Sequence, residues 1–409
     1  MKYLLNTISR YCRVYRGLSR LSWRGILLTF IESTLCGVFY YLSYYFVHDL
    51  HLPVSQAGMI ISCYGIGAIL GGLVGGKLSD KTSPHFVSIG SLILQGIGYF
   101  ALIEISNLYL LMINVFMLGM ATYGFITSNY VWTLAQCSQN EPEKLKAINL
   151  LATASNLGLG LSAMIVSVLV YFGFHFIFMM TSTLIFILAI YLVVKENHQR
   201  KITLTQNQPI EERKEQPQIS VEQIKKYKIV TWVVLFCVLF TGATVAQLST
   251  TYSLFIQSEF PSWGVQGVSL LFAINSFLVV FFETPMGSFL SDYNKLLMVG
   301  VGAFFIGTGM GMLSIANVFA MAIVACVIYT IGEMIFFSMA QLVCYQKGAA
   351  QKKGQSMGTY RMVYATSRFI GPIAGGYVFQ HIGGHVLWVF SGVIGVICLG
   401  VSYYFRKYN

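Results

Sequence analysis

The sequence predicts an all-α membrane protein of twelve transmembrane helices in two six-helix bundles, with both termini in the cytoplasm. Three observations lead there. The chain is 56% hydrophobic and 10% charged over 409 residues, with a mean hydropathy of +0.68, whereas an ordinary soluble domain carries about 25% charged residues. Its apolar residues gather into twelve stretches, each near the ~20 residues needed to traverse about 30 Å of hydrocarbon. With those stretches laid out as crossings, all 26 lysines and arginines fall on one side of the membrane except Arg368, stranded inside an apolar stretch.

The crossings are expected at 25–47, 55–79, 85–104, 107–135, 147–172, 174–194, 229–256, 265–290, 296–315, 317–345, 356–380 and 385–405. Positive residues accumulate in cytoplasmic connections, and here every second connection is basic. Residues 1–24 form a basic cytoplasmic segment with Lys2, Arg10, Arg13, Arg16, Arg20 and Arg24 and no acid. They lack a short apolar run ending in a small-residue cleavage site, so they read as a segment lying on the inner leaflet or as a frayed tail, not as a removable signal. Lys77 and Lys81 follow the second crossing, Lys144 and Lys146 precede the fifth, and Lys295 precedes the ninth. Lys347, Lys352 and Lys353 precede the eleventh, and Arg406 and Lys407 follow the twelfth. The intervening connections hold none, which places both termini on one side and requires an even number of crossings.

Between the sixth and seventh crossings the apolar pattern stops. Residues 195–228 are polar, charged and proline-containing, and the run from Glu211 to Glu215 reads as part of a hydrated linker. This linker separates a bundle at 25–194 from one at 229–409. The halves echo each other: Leu78 stands two places before Asp80, and Leu290 two places before Asp292, the acids being 212 positions apart. Matching turns in a six-plus-six chain are what parallel repeats give, with a site at the midplane between them.

Several function classes drop out. The net charge of +11 follows from the cytoplasmic bias and from contact with anionic lipid; basic residues scattered over loops do not make a nucleic-acid face. Cys12, Cys36, Cys63, Cys137, Cys237, Cys326, Cys344 and Cys398 include no close pair, zinc spacing or CxxC. No metal, cofactor or enzymatic chemistry is expected, and the lack of a GxxxxGK[ST] loop argues against an ATP-driven pump. A non-transporting receptor or scaffold is disfavoured because the soluble parts are too small to signal.

The stretch Gly76-Lys77-Leu78-Ser79-Asp80-Lys81 resembles the signature loop of the major facilitator superfamily, Gly-x-Leu-x-Asp-Arg/Lys, although Ser83, Pro84 and His85 depart from its continuation. The tracts beginning at Gly332 and Gly354 are similar to the tenth and eleventh helices of bacterial efflux-type, drug:proton antiporter-like members. The resemblance implies secondary transport by alternating access, with helices 1, 2, 4, 5, 7, 8, 10 and 11 lining a central cavity. It also implies a conformational latch built on Gly76, Asp80, Lys81 and Arg361, in which the acid pairs with basic residues and a helix N-terminus; the plainer reading of Asp80 is a turn residue capping the next helix. The fifth segment carries Ser162-Ala163 where drug antiporters have Gly-Pro, and Val115 stands where the fourth would carry an arginine. Those departures weaken drug antiport and leave transport intact.

Intramembrane charges cost about 2.5 to 3.5 kcal/mol each on insertion scales and call for a function or a partner. The chain has four strong candidates: Glu32 in the first segment, Glu283 in the eighth, Glu333 in the tenth and Arg368 in the eleventh. All fall on segments that the resemblance assigns to the cavity. Arg368 stays charged and needs a carboxylate or an anionic substrate. Glu283 and Glu333 are the nearest candidates, either at a transport site or in an ion pair locking helices 8, 10 and 11. Glu32, with no basic residue near it in its own helix, is the better candidate proton carrier, or else a hydrogen-bonding group at a helix interface. Asn129 and Gln247 are further cavity candidates; Gln247 shares a face with Thr244 and Thr251. Glycines of the second and eleventh segments let backbones approach closely, and Pro372 is placed to bend its helix.

The sequence thus leads to a monomeric, proton-coupled exporter of a small amphipathic compound, a drug or a metabolite such as a siderophore, in a bacterial inner membrane. The alternative is proton-coupled uptake of a small organic solute such as an anionic metabolite, amino acid or sugar. The expected partners are that small molecule, protons and the lipid bilayer.

Overall fold

The computed structural model describes residues 18–137, 141–199, 221–290, 293–347 and 353–408, and all regular structure among them is helical. α1 (Arg20–Cys36) runs through a 3-10 stretch at Gly37–Tyr41 into α2 (Leu42–His48). Then come α3 (Val54–Lys81), α4 (Pro84–Ala101), α5 (Leu108–Ala135), α6 (Glu141–Leu169) and α7 (Phe174–Gln199). α8 (Val221–Val245) runs through a second 3-10 stretch, Ala246–Ser249, into α9 (Thr251–Glu259). α10 (Gly264–Phe289), α11 (Lys295–Met312), α12 (Phe319–Lys347), α13 (Lys353–His381) and α14 (Gly384–Phe405) complete the order. Among the described residues, 10 helical segments are long and apolar enough to cross a membrane. α4 and α13 are the long helices outside that set; α13 carries Arg361, Arg368 and a polar first third.

Apolar content located the helices and misjudged some of their ends. α6 begins at Glu141 and α8 at Val221, several residues before the apolar stretches, and α7 runs on to Gln199. Hydropathy marks where hydrocarbon ends, whereas EPEKLK and VEQIKKYK keep helical backbone bonds into water. The sequence also gave no sign that the first and seventh rods change winding. These 3-10 stretches occupy matching places in the two halves, 209 residues apart from Gly37 to Ala246, and they touch each other. Pro372, in turn, leaves α13 continuous from Lys353 to His381.

The helices up to α7 pack on one another, as do those from α8 onward, and the two sets meet along two seams, α3 against α13 and α6 against α10. Missing side chains make these approaches possible. A Cβ on Gly58 would strike the Pro372 carbonyl, and one on Gly65 would lie 3.1 Å from the Arg368 carbonyl oxygen. That carbonyl has lost its usual helical donor, because the residue four places on is a proline.

Direct hydrogen bonds between described residues of the two sets lie toward the end whose connections carry no lysine or arginine. Tyr41 and Ser269 hydroxyls are 2.8 Å apart, Ser43 Oγ donates to the Thr250 carbonyl at 2.8 Å, and the Ser55 amide donates to Gln380 Oε1 at 2.8 Å. The sets are therefore clasped at one end.

Within the first set, α3 and α5 are in backbone contact: a Cβ on Gly71 would run into the Met120 carbonyl. Gly71→Leu is predicted to destabilise the protein by about 1–3 kcal/mol through overpacking, read as a lowered midpoint of thermal unfolding in detergent; an unchanged midpoint would show that these helices do not touch.

Candidate functional site

A cavity of about 220 Å³ lies between the two sets. The first set contributes Tyr40 and Tyr41 from its 3-10 stretch and Asn156 from α6. The second contributes Glu283 (α10), Glu333 (α12) and Arg368 (α13), with Asn275 and Tyr364 beside them. Three of the four intramembrane charges thus share one chamber, and all three come from the second set.

The acids are held differently. Glu333 Oε2 accepts from Asn275 Nδ2 at 2.8 Å, and the same nitrogen donates to Thr330 Oγ1 at 2.9 Å. Asn275 and Glu283 are eight residues apart on α10, about 12 Å along its axis, so one helix reaches both Glu333 and a position nearer the basic end. Glu283 lies within electrostatic reach of Glu333 and, with Arg361, of Tyr130 on α5. The cavity is lined by acid over a considerable depth.

Arg368 forms no ion pair with Glu283 or Glu333. Tyr123, Tyr364, Tyr40 and Tyr64 lie within electrostatic reach of its guanidinium, three of them from the first set. The backbone at Arg368 is also the point where α13 meets Gly65 of α3, so this cation stands beside the seam.

Glu32 lies elsewhere. It is 1% exposed inside the first set, where Gln95 Nε2 of α4 donates to its Oε1 at 3.0 Å. Gln95 Oε1 accepts from Cys36 Sγ at 3.2 Å, and Tyr99 donates to the Cys36 carbonyl at 3.1 Å. A ligand in the chamber cannot touch this carboxyl, yet the network ends at Cys36, the residue before the 3-10 stretch that carries Tyr40 and Tyr41.

Asn129 and Gln247 are tied into the scaffold. Asn129 Nδ2 donates to the Gly25 carbonyl at 2.9 Å and to Thr29 Oγ1 at 2.8 Å, joining α5 to α1. Gln247 Nε2 donates to the Ala243 and Gly371 carbonyls at 3.0 and 2.8 Å. Its Oε1 accepts from Thr250 at 3.2 Å and Thr251 at 2.9 Å, stitching the second 3-10 stretch to α13. Of the four latch residues, Gly76 is half-buried while Lys81 and Arg361 are exposed. The Asp80 side chain and Asp292 lie outside the described residues.

Sequence reasoning missed Asn275, although a polar residue two helical turns from Glu283 on the same face was a usable signal. It also missed Tyr64 and Tyr123, because a tyrosine in an apolar stretch carries no mark of which helix it will face.

Comparison with known proteins agrees with this architecture. The family model described as Major Facilitator Superfamily matches residues 25–372. An uncharacterized MFS-type transporter of Bacillus subtilis (strain 168), YttB, is 23% identical over 402 residues, covering 92% of this chain and 93% of its own. A second from the same organism, YhjO, is 21% identical over 392 residues, with 95% and 92% covered. Among solved structures, the nucleoside transporter NupG superimposes with a TM-score of 0.75 at 15% identity, over 96% of this chain and 100% of that one. The POT family transporter PepTSo does so with a TM-score of 0.73 at 12% identity, over 94% and 98%. At such identities the structures report a shared fold.

Asn129→Ala and Gln247→Ala each strand buried groups and are predicted to cost about 1–3 kcal/mol, seen as lower thermal midpoints of the purified protein. An unchanged midpoint in either variant would remove that residue from the scaffold.

Proposed function

Because the chain belongs to the Major Facilitator Superfamily, and is accordingly a multi-pass integral membrane transporter and not an enzyme, we propose that it couples proton entry to export of a small amphipathic compound. The observation that carries this reading is the chamber between the two helix sets, lined by Glu283, Glu333, tyrosines and Arg368, the last beside the α3–α13 seam. Twelve crossings with both termini cytoplasmic, and bundles at 25–194 and 229–409, complete the picture. The basic helix ends then face the cytoplasm of a bacterial inner membrane, and the clasped end faces outward.

Rocking of one set against the other would exchange the clasp for a closure at the basic end. Residues 76–81 and Arg361 stand at that end, where the proposed latch would act. Inside the chamber, Glu283 and Glu333 are the groups over which a proton and a substrate compete: an amine or other donor takes the place of the proton, and neither acid holds both. The tyrosines supply apolar surface with polar rims for the body of the substrate. Glu32 is the second proposed proton site. Its charge state reaches the chamber through Cys36 and the 3-10 stretch, which also carries Tyr41 and hence the clasp with Ser269.

One observation favours a second reading. Arg368 has no carboxylate partner among the described residues, so a carboxylate or phosphate of an imported solute would satisfy it. Direction separates the two: sensitivity of a deletion strain to a panel of compounds supports export, while lost accumulation of a labelled nutrient supports uptake.

In proteoliposomes, an imposed pH gradient is predicted to drive substrate flux, and flux indifferent to collapse of the gradient would remove proton coupling. Glu333→Gln and Glu32→Gln are each predicted to abolish uphill movement while sparing exchange. Glu333→Gln also weakens substrate binding by about tenfold or more, the loss of one charge-assisted contact, and Glu32→Gln leaves it unchanged. Unimpaired uphill transport in either variant would take that acid out of the mechanism.

A further inference from the structure

A separate hollow of about 420 Å³ opens on the outer face of the first set, between α1 and α7. Its walls include Leu27, Ile31 and Leu35 of α1 and Leu184, Ile187 and Leu188 of α7. Leu27 and Ile187 are 55% and 56% exposed, so the walls face out of the protein and not toward the central chamber. In a membrane protein, such a surface faces lipid.

The polar groups of the hollow gather at one end: Arg24, His85, Trp132 and Tyr191. His85 Nε2 lies 3.2 Å from the Leu192 carbonyl, and its ring meets Trp132 with centroids 6.2 Å apart, so α4, α5 and α7 close that end together. Arg24 stands in the second turn of α1, is exposed, and pairs with no acid among the described residues. Tryptophan, tyrosine and arginine at one level are what the boundary between headgroups and hydrocarbon selects. From Arg24 to Leu35 the hollow runs eleven residues along α1, about 16 Å, close to half of a roughly 30 Å hydrocarbon core. Its length is that of one leaflet, with a cation at the headgroup level and apolar walls below.

We propose that this hollow is a binding site for an anionic phospholipid, one acyl chain lying between α1 and α7 and the phosphate on Arg24. The lipid belongs to the leaflet at the basic end of the helices. It braces α1, which touches α7 only sparsely and whose inner face carries Glu32.

The test uses the full-length protein, purified and delipidated in detergent, with lipid retention read by native mass spectrometry and stability by thermal unfolding. Phosphatidylglycerol is expected to be retained about fivefold over phosphatidylcholine, the preference that one interfacial cation confers, and to raise the unfolding midpoint. Arg24→Ala is expected to erase that preference while keeping phosphatidylcholine. Ile187→Trp, at an outward-facing position, fills the hollow and is expected to lose both lipids while the circular dichroism spectrum stays that of the parent. Equal retention of the two lipids by the parent protein, or a preference that survives Arg24→Ala, would overturn the proposal. Undiminished lipid in Ile187→Trp, or displacement of the lipid by millimolar inorganic phosphate, would do the same.

Discussion

Close contact between α3 and α13 is the constraint on which the rest depends. Gly58 and Gly376 are in near-backbone contact, and Gly65 lies against the Arg368 carbonyl, so the two helix sets can meet here without interleaved side chains. An interface of this kind is packed through small residues that let the helix backbones approach closely. Large side chains at these positions would hold the sets apart.

The charges make sense against that seam. Arg368 stands beside the seam with Tyr40, Tyr64 and Tyr123 of the opposite set within electrostatic reach; were the sets to part, it would lose those neighbours. Glu283 lies toward the basic end of α10 and Glu333 at the middle of α12, both on helices of one set only. One half of the chamber therefore carries the ionic chemistry, while the other half contributes hydroxyls, rings and the hydrogen bonds of the clasp. Gln247, within the second 3-10 stretch, ties that stretch to the seam helix α13.

Much of this was legible in the sequence, and the rest was hidden for physical reasons. Apolar content located the long helices among the described residues, because the bilayer imposes a length on each segment independently. Charges inside apolar stretches led to Glu283, Glu333 and Arg368 for the same reason. Glu32 carried an identical signal, yet it faces Gln95 inside one set: insertion cost says that a carboxyl needs a partner and is silent on whether the partner is water or an amide. Asn129 and Gln247 looked like cavity residues and became scaffold, since a buried amide can place its N–H donors on backbone carbonyls and hydroxyls as well as on a ligand. The 3-10 stretches left no trace, as Gly37–Tyr41 and Ala246–Ser249 share position and not composition.

Alternating access is tested most directly by measuring distances across both ends of the chamber at once. Spin labels at His51 and Ile382 would report on the clasped end, and labels at Lys77 and Met362 on the basic end, in reconstituted protein freed of other reactive thiols. Alternation predicts that on protonation or substrate addition one distance lengthens as the other shortens. Two distances that stay fixed, or that change in the same sense, would contradict it.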